Sequence, residues 1–163
     1  MSFATMSGPV RFGTQKDGST RNTGLPVLTQ STTLAATVAL TSAPVAQTIA
    51  VLPAGSKILR FRVEKTTAIS GGSVSEVAAT FGTAASPALY MASANLGLTA
   101  IPTAQATLDA AMVPAQTNNI GTSDVTVMGT FTAATGNPTA GAIVVTVEYV
   151  QRADDGSQYP ATP

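Results

Sequence analysis

Four basic residues, Lys57, Arg60, Arg62 and Lys65, crowd into nine positions and make up half of the chain's eight lysines and arginines. An arginine presents a planar fork that grips a carboxylate or phosphate bidentately, whereas a lysine acts as a point charge. The chemistry open to such a cluster is anion recognition: an acidic protein surface, a nucleic-acid backbone or a glycan. The simplest alternative is a solvated strand face that binds nothing.

Catalytic chemistry is poorly supplied. The chain has no histidine and no cysteine, which removes the commonest general base, the commonest metal ligand, thiolate nucleophiles and any Ser-His-Asp arrangement. Asp109, Asp124 and Glu148 are scattered. A glycosidase would need two carboxylates in a cleft lined by aromatics, and the chain has no tryptophan, five phenylalanines and three tyrosines. Asp154-Asp155-Gly156 lacks the further oxygen ligands of a calcium loop, and no glycine-rich phosphate loop opens a helix. The expectation is a protein that is not an enzyme, with no catalytic, cofactor-binding or metal-binding residues and no cofactor.

The basic cluster lies on the most regular stretch, LPAGSKILRFRVEKTTA (52–68). A Pro53-Ala54-Gly55-Ser56 turn opens it. From Leu59 the residues alternate, with Leu59, Phe61 and Val63 on one face and Arg60, Arg62 and Glu64 on the other. Period-two alternation marks a strand with one face on a core. Earlier, residues 25–50 are rich in Thr, Ala and Val between prolines, which predicts strands over 27–31, 34–41 and 46–51. Later, Val77, Ala79 and Phe81 share a face, with Glu76 and Thr80 opposite. That strand is expected to pair with 59–64 and to bring Glu76 across from an arginine. Tyr90 and Met91 are core or rim candidates. The stretch 98–119 is the least periodic and reads as a long excursion holding one short strand or a turn of helix, with ATLDAAMV (106–113) as the helix candidate. Residues 124–132 and 142–151 read as a hairpin, the second strand part-buried on both faces.

These elements predict an all-β fold, a β-sandwich or jelly-roll of about eight to ten short antiparallel strands. Three regions are expected. Residues 1–24, interrupted by Gly8, Gly13, Gly18 and Gly24, read as an extended N-terminal arm in which Val10, Arg11 and Phe12 are placed to add one short strand to a neighbour. Residues 25–152 form the sandwich domain, and 153–163 a polar tail.

Charged residues are only 10% of the chain and the formal net charge is zero, against roughly 25% charged in a typical soluble domain. A surface so poor in charge suits burial by other subunits, and neutrality argues against nucleic acid as the main partner. No apolar run approaches the roughly 18 residues of a membrane span, and no signal-peptide pattern opens the chain, so no membrane partner is expected. Lack of disulfides fits assembly in a reducing cytoplasm.

Three segments in order, LPAGSKILRFRVEKTTA, ATFGTAASPALY (79–90) and TAGAIVVTVEYV (139–150), resemble small β-rich structural proteins of tailed-bacteriophage virions, most of all capsid decoration (cement) proteins. The shared features are the Leu-Pro-Ala-Gly turn into a strand, the Phe-Gly-Thr-Ala step and the Thr-Ala-Gly before a strand ending Glu-Tyr-Val. The resemblance implies a protein on the outer surface of an assembled capsid, bridging major capsid proteins as a homodimer or homotrimer, assembled in the host cytoplasm. The alternative is a tail, head-fibre or spike component with a host-binding role. The residues expected at a protein interface are Val10, Arg11, Phe12, Lys57, Arg60, Arg62 and Lys65. Charge reversal of Arg60 and Arg62 is expected to weaken assembly and leave folding nearly intact.

Overall fold

The computed structural model describes residues 27–35, 40–99 and 105–151; the expected arm, with Val10, Arg11 and Phe12, and the expected tail lie outside them. Eight strands and two short helices follow in order: β1 (Leu28–Ala35), β2 (Leu40–Thr41), β3 (Gln47–Leu52), β4 (Lys57–Ser70), β5 (Glu76–Gly82), β6 (Met91–Asn95), α1 (Gln105–Ala111), α2 (Pro114–Thr117), β7 (Val125–Ala134) and β8 (Ala140–Val150). They form an all-β sandwich. Sheet A has the order β1-β8-β4 and is antiparallel throughout. In sheet B, β6, β5 and β7 are neighbours, and the far side of β7 takes β3 antiparallel and then two residues of β2 parallel.

The core lies between the sheets because each strand gives it alternate residues. Phe61, Val63, Ile143, Val145 and Val147 come from sheet A and meet Val77, Phe81, Val127 and Phe131 of sheet B. Phe61 stacks on Phe81 across the gap with centroids 4.3 Å apart, and Phe81 meets Phe131 edge to face at 5.9 Å. Gly129 leaves room for these rings, since a Cβ there would stand 3.0 Å from both Phe81 and Phe131. α1 drops a fully buried Leu108 against β6 and β4.

The turn at Pro53 forms as expected. Gly55 takes φ +71°, a value that favours glycine, and Ser56 N–H donates to the Pro53 carbonyl at 3.2 Å. The Phe-Gly-Thr-Ala step has a steric reason. Residues 83–89 fold back over Gly82, and a Cβ there would come within 2.1 Å of the Ser86 carbonyl oxygen.

Several expectations are corrected. Residues 28–35 are one strand paired along its whole length with β8, so 27–31 is not a separate element. The strands over 125–134 and 140–150 are not a hairpin, because β7 belongs to sheet B and β8 to sheet A. Each has one face to bury, and placing them in opposite sheets lets both faces meet in the core. For the same reason β5 pairs with β6 and β7 rather than with β4, and Glu76 does not face the arginines. Leu59 is only half-buried. The β4–β8 register slips there, so that Ile58 faces Tyr149 and Arg60 faces Glu148, and Ile58 takes the core position instead.

Candidate functional site

The outer face of sheet A is built from three strands whose inner residues are fixed in the core. β1 presents Thr29, Ser31 and Thr33; β8 presents Val144, Thr146 and Glu148; β4 presents Arg60, Arg62 and Glu64. The rungs run straight across: Thr29, Glu148 and Arg60 on one, Ser31, Thr146 and Arg62 on the next. Ser31 and Thr146 share a hydroxyl hydrogen bond of 2.7 Å. The surface is therefore a shelf of short hydroxyl and aliphatic groups on β1 and β8, bordered by a charged ridge on β4.

The charges on that ridge satisfy one another. Glu148, on the central strand, lies 3.7 Å from the Arg60 Nε and 3.7 Å from an Arg62 guanidinium nitrogen, while Arg62 also reaches Glu64 at 3.3 Å. The arginine side chains remain about half exposed (44% and 50%). Exposed pairs of this kind contribute only a few tenths of a kcal/mol each. Their effect is on the field: the two arginines and two glutamates offset one another, and Lys57 on the same face leaves one positive charge in excess.

The four-membered basic cluster is thus divided. Lys57 sits opposite Val150, and the extra residue at Leu59 brings it into phase with Arg60 and Arg62. Lys65 lies in phase with Phe61 and Val63, points inward, and is buried. Its Nζ donates to the Leu96 carbonyl, where it helps close the seam between β4 and the strand-end of β6. Burial pushes the Lys65 pKa below the ordinary lysine value. Lys65 therefore belongs to the sandwich seam in this fold, not to the outer face with the arginines. The acidic partner that sequence reasoning missed is Glu148. It could be found only by pairing β4 with β8.

The opposite seam is closed in a related way. The Gln30 side chain acts as a piece of strand: its Nε2 donates to the Val51 carbonyl at 2.7 Å and its Oε1 accepts the Val51 N–H at 3.2 Å. Thr32 Oγ1 adds a bond to the Ile49 carbonyl at 2.8 Å. Side chains of β1 thereby occupy the free backbone edge of β3.

Among the described residues, no group of three or more acidic residues is placed to hold a metal ion, and no helix is long and apolar enough to cross a membrane. No family model matches the sequence, and no curated protein matches it. Among solved structures the fold is similar to a chain of the cyanophage Pam1 capsid asymmetric unit, with 20% identity, 91% of this chain and 99% of that chain covered, and a TM-score of 0.49. At that identity and score the likeness carries no functional inference.

Proposed function

We propose that this chain is a structural protein of a bacteriophage virion, a decoration (cement) protein that binds the outer surface of the assembled capsid and bridges major capsid proteins. Its role is structural, not catalytic. Its partners are the major capsid protein and further copies of itself, not nucleic acid or a membrane, and it joins the particle in the host cytoplasm. The observation that supports this reading is the outer face of sheet A. Covering a face with unpaired charges costs desolvation that the partner must offset. Here Arg60, Arg62, Glu64 and Glu148 are already mutually paired, and the hydroxyls beside them offer hydrogen bonds across a rigid plane. The resemblance of residues 52–68, 79–90 and 139–150 to decoration proteins points the same way.

The mechanism is linkage. A protein that binds only the assembled lattice stabilises it by mass action, and many modest contacts on one lattice act multivalently. The test uses Arg60→Gln/Arg62→Gln. Charge reversal is unsuitable, because it would set four carboxylates side by side, at 60, 62, 64 and 148, with no arginine among them. Purified wild type added to capsids lacking it should decorate their outer surface in particle images, and the double variant should bind less. Binding to tails or to a host glycan, with bare capsids, would favour the tail, head-fibre or spike role and overturn the decoration reading.

A further inference from the structure

We infer that β1 is a homotypic docking edge, on which a second copy of this chain adds its own β1 antiparallel about a two-fold axis through Ser31. This names a specific surface for self-association and stands independently of the virion reading.

The first observation is an uncovered edge. A strand at the border of a sheet offers unpaired N–H and C=O groups, and soluble proteins usually guard such borders with charge, proline or a bulge. Other borders carry at least partial cover among the described residues. β3 is held by Gln30 and Thr32, the end of β4 by the Ile69 N–H donating to the Leu98 carbonyl, and the β6 side by Met112 and Val113. Along β1, among the described residues, the only backbone hydrogen bonds are those of its ladder with β8. That ladder runs all eight residues without a register shift, and the strand LTQSTTLA contains no charged residue and no proline.

The second observation is self-complementarity. A two-fold interface requires that residue i meet residue j and j meet i. Centred on Ser31, antiparallel pairing of β1 with a copy of itself sets Leu28 opposite Leu34, Thr29 opposite Thr33 and Gln30 opposite Thr32. Each cross-strand pair then matches apolar with apolar or polar with polar, and Thr–Thr and Ser–Ser neighbours are favourable on one sheet face. The two three-stranded sheets would fuse into one continuous sheet.

The third observation is apolar exposure beside that edge. Val27, Val45 and Val51 are the exposed large hydrophobics among the described residues, at 56%, 61% and 51%. Val27 immediately precedes β1, Val51 is the residue gripped by Gln30, and Val45 leads into β3. Association at β1 would bring a second copy alongside this apolar margin.

The chain has no cysteine, so Ser31→Cys introduces one reporter at the two-fold axis. Opposed residues of an antiparallel pair lie about 4.5–5.5 Å apart between Cα atoms, within the range a disulfide spans. Under mild oxidation Ser31→Cys should form covalent dimer about tenfold faster than Thr66→Cys, an exposed position on β4, because pairing raises the effective thiol concentration. Ser31→Lys, which sets two ammonium groups face to face, should keep the wild-type circular dichroism and sediment as monomer where wild type sediments as dimer. A monomeric wild type, equal cross-linking of the two cysteine variants, or a dimer that survives Ser31→Lys would each overturn the inference. A monomeric wild type that still coats capsids would overturn this inference and leave the decoration reading intact; a β1-linked dimer that ignores capsids would do the reverse.

Discussion

Phe61 and Phe81 stack face to face, centroids 4.3 Å apart and planes within 4°, with one ring contributed by each sheet. Both are fully buried, and Phe81 also receives the edge-to-face contact with Phe131. The three rings are the joint through which sheet A grips sheet B. Truncating Phe61 or Phe81 to alanine should cost about 3–5 kcal/mol. In a double-mutant cycle the pair should show a coupling of about 0.5–1.5 kcal/mol. Chemical denaturation of the four proteins measures both, and additive losses would show that the stack contributes only its area.

Two glycines should respond differently to alanine. At Gly129 the new methyl meets side-chain atoms at 3.0 Å that have some room to give, so overpacking of about 1–3 kcal/mol is expected. At Gly82 it meets backbone, with the Ser86 oxygen at 2.1 Å and the Leu89 nitrogen at 2.7 Å, and the loop over residues 83–89 must leave its place. Gly82→Ala should therefore be the more damaging change by thermal denaturation. The reverse order would mean that this loop is easily displaced.

Gln30 supplies the edge of β3 with both a donor and an acceptor. Replacing it with alanine should cost on the order of 1 kcal/mol, since the bonds are solvent-accessible. The effect should be local, with faster hydrogen exchange at the Val51 amide and little change at the β7 and β8 ladders. Unaltered exchange at Val51 would mean that solvent serves the edge equally well.

Lys65 and Tyr90 give stability a defined pH course. Burial lowers the Lys65 pKa, so over the interval just below the ordinary lysine value the unfolded chain binds more protons than the folded one, and stability rises with pH. Burial raises the Tyr90 pKa, so above the ordinary tyrosine value the unfolded chain loses its proton first and stability falls. The Lys65→Met variant keeps the second effect and loses the first. The unfolding free energy of wild type minus that of Lys65→Met should therefore climb as the pH rises toward the ordinary lysine value of about 10.4 and level off above it. A flat difference would show that the ammonium group is solvated in the folded state.

The alternation around Phe61 and Val63 was enough to assign the core face of β4, and the same parity places Lys65 inside. Lys65 shares its charge with the arginines and its period with Phe61 and Val63, and the period decides where it lies. Leu59 was illegible for a different reason. A one-residue slip in register leaves no trace in composition, yet it exchanges Leu59 for Ile58 in the core. The mistaken hairpin between β7 and β8 shows the deeper limit. Two strands joined by a short connection each reveal that one face is buried, but not whether they share a sheet or face each other across a core. Glu148, and with it the charge pairing along the ridge of the candidate face, depended on that choice. The turn at Gly55 was legible because it is fixed by local chemistry, whereas the stretch around Leu108 left strand and helix equally open.

The pairing of β1 with β8 has a consequence for synthesis. Residues 28–35 leave the ribosome before any other described strand, but the strand that must bridge them to β4 is the last of the described strands to be made. Until β8 emerges, sheet A has no centre, and β1 and β4 have no strand between them to pair with. A topology dominated by such distant pairings folds on the millisecond-to-second scale typical of sandwiches. The nascent chain therefore cannot close this core before β8 is made, and β8 commits both of its neighbours at once.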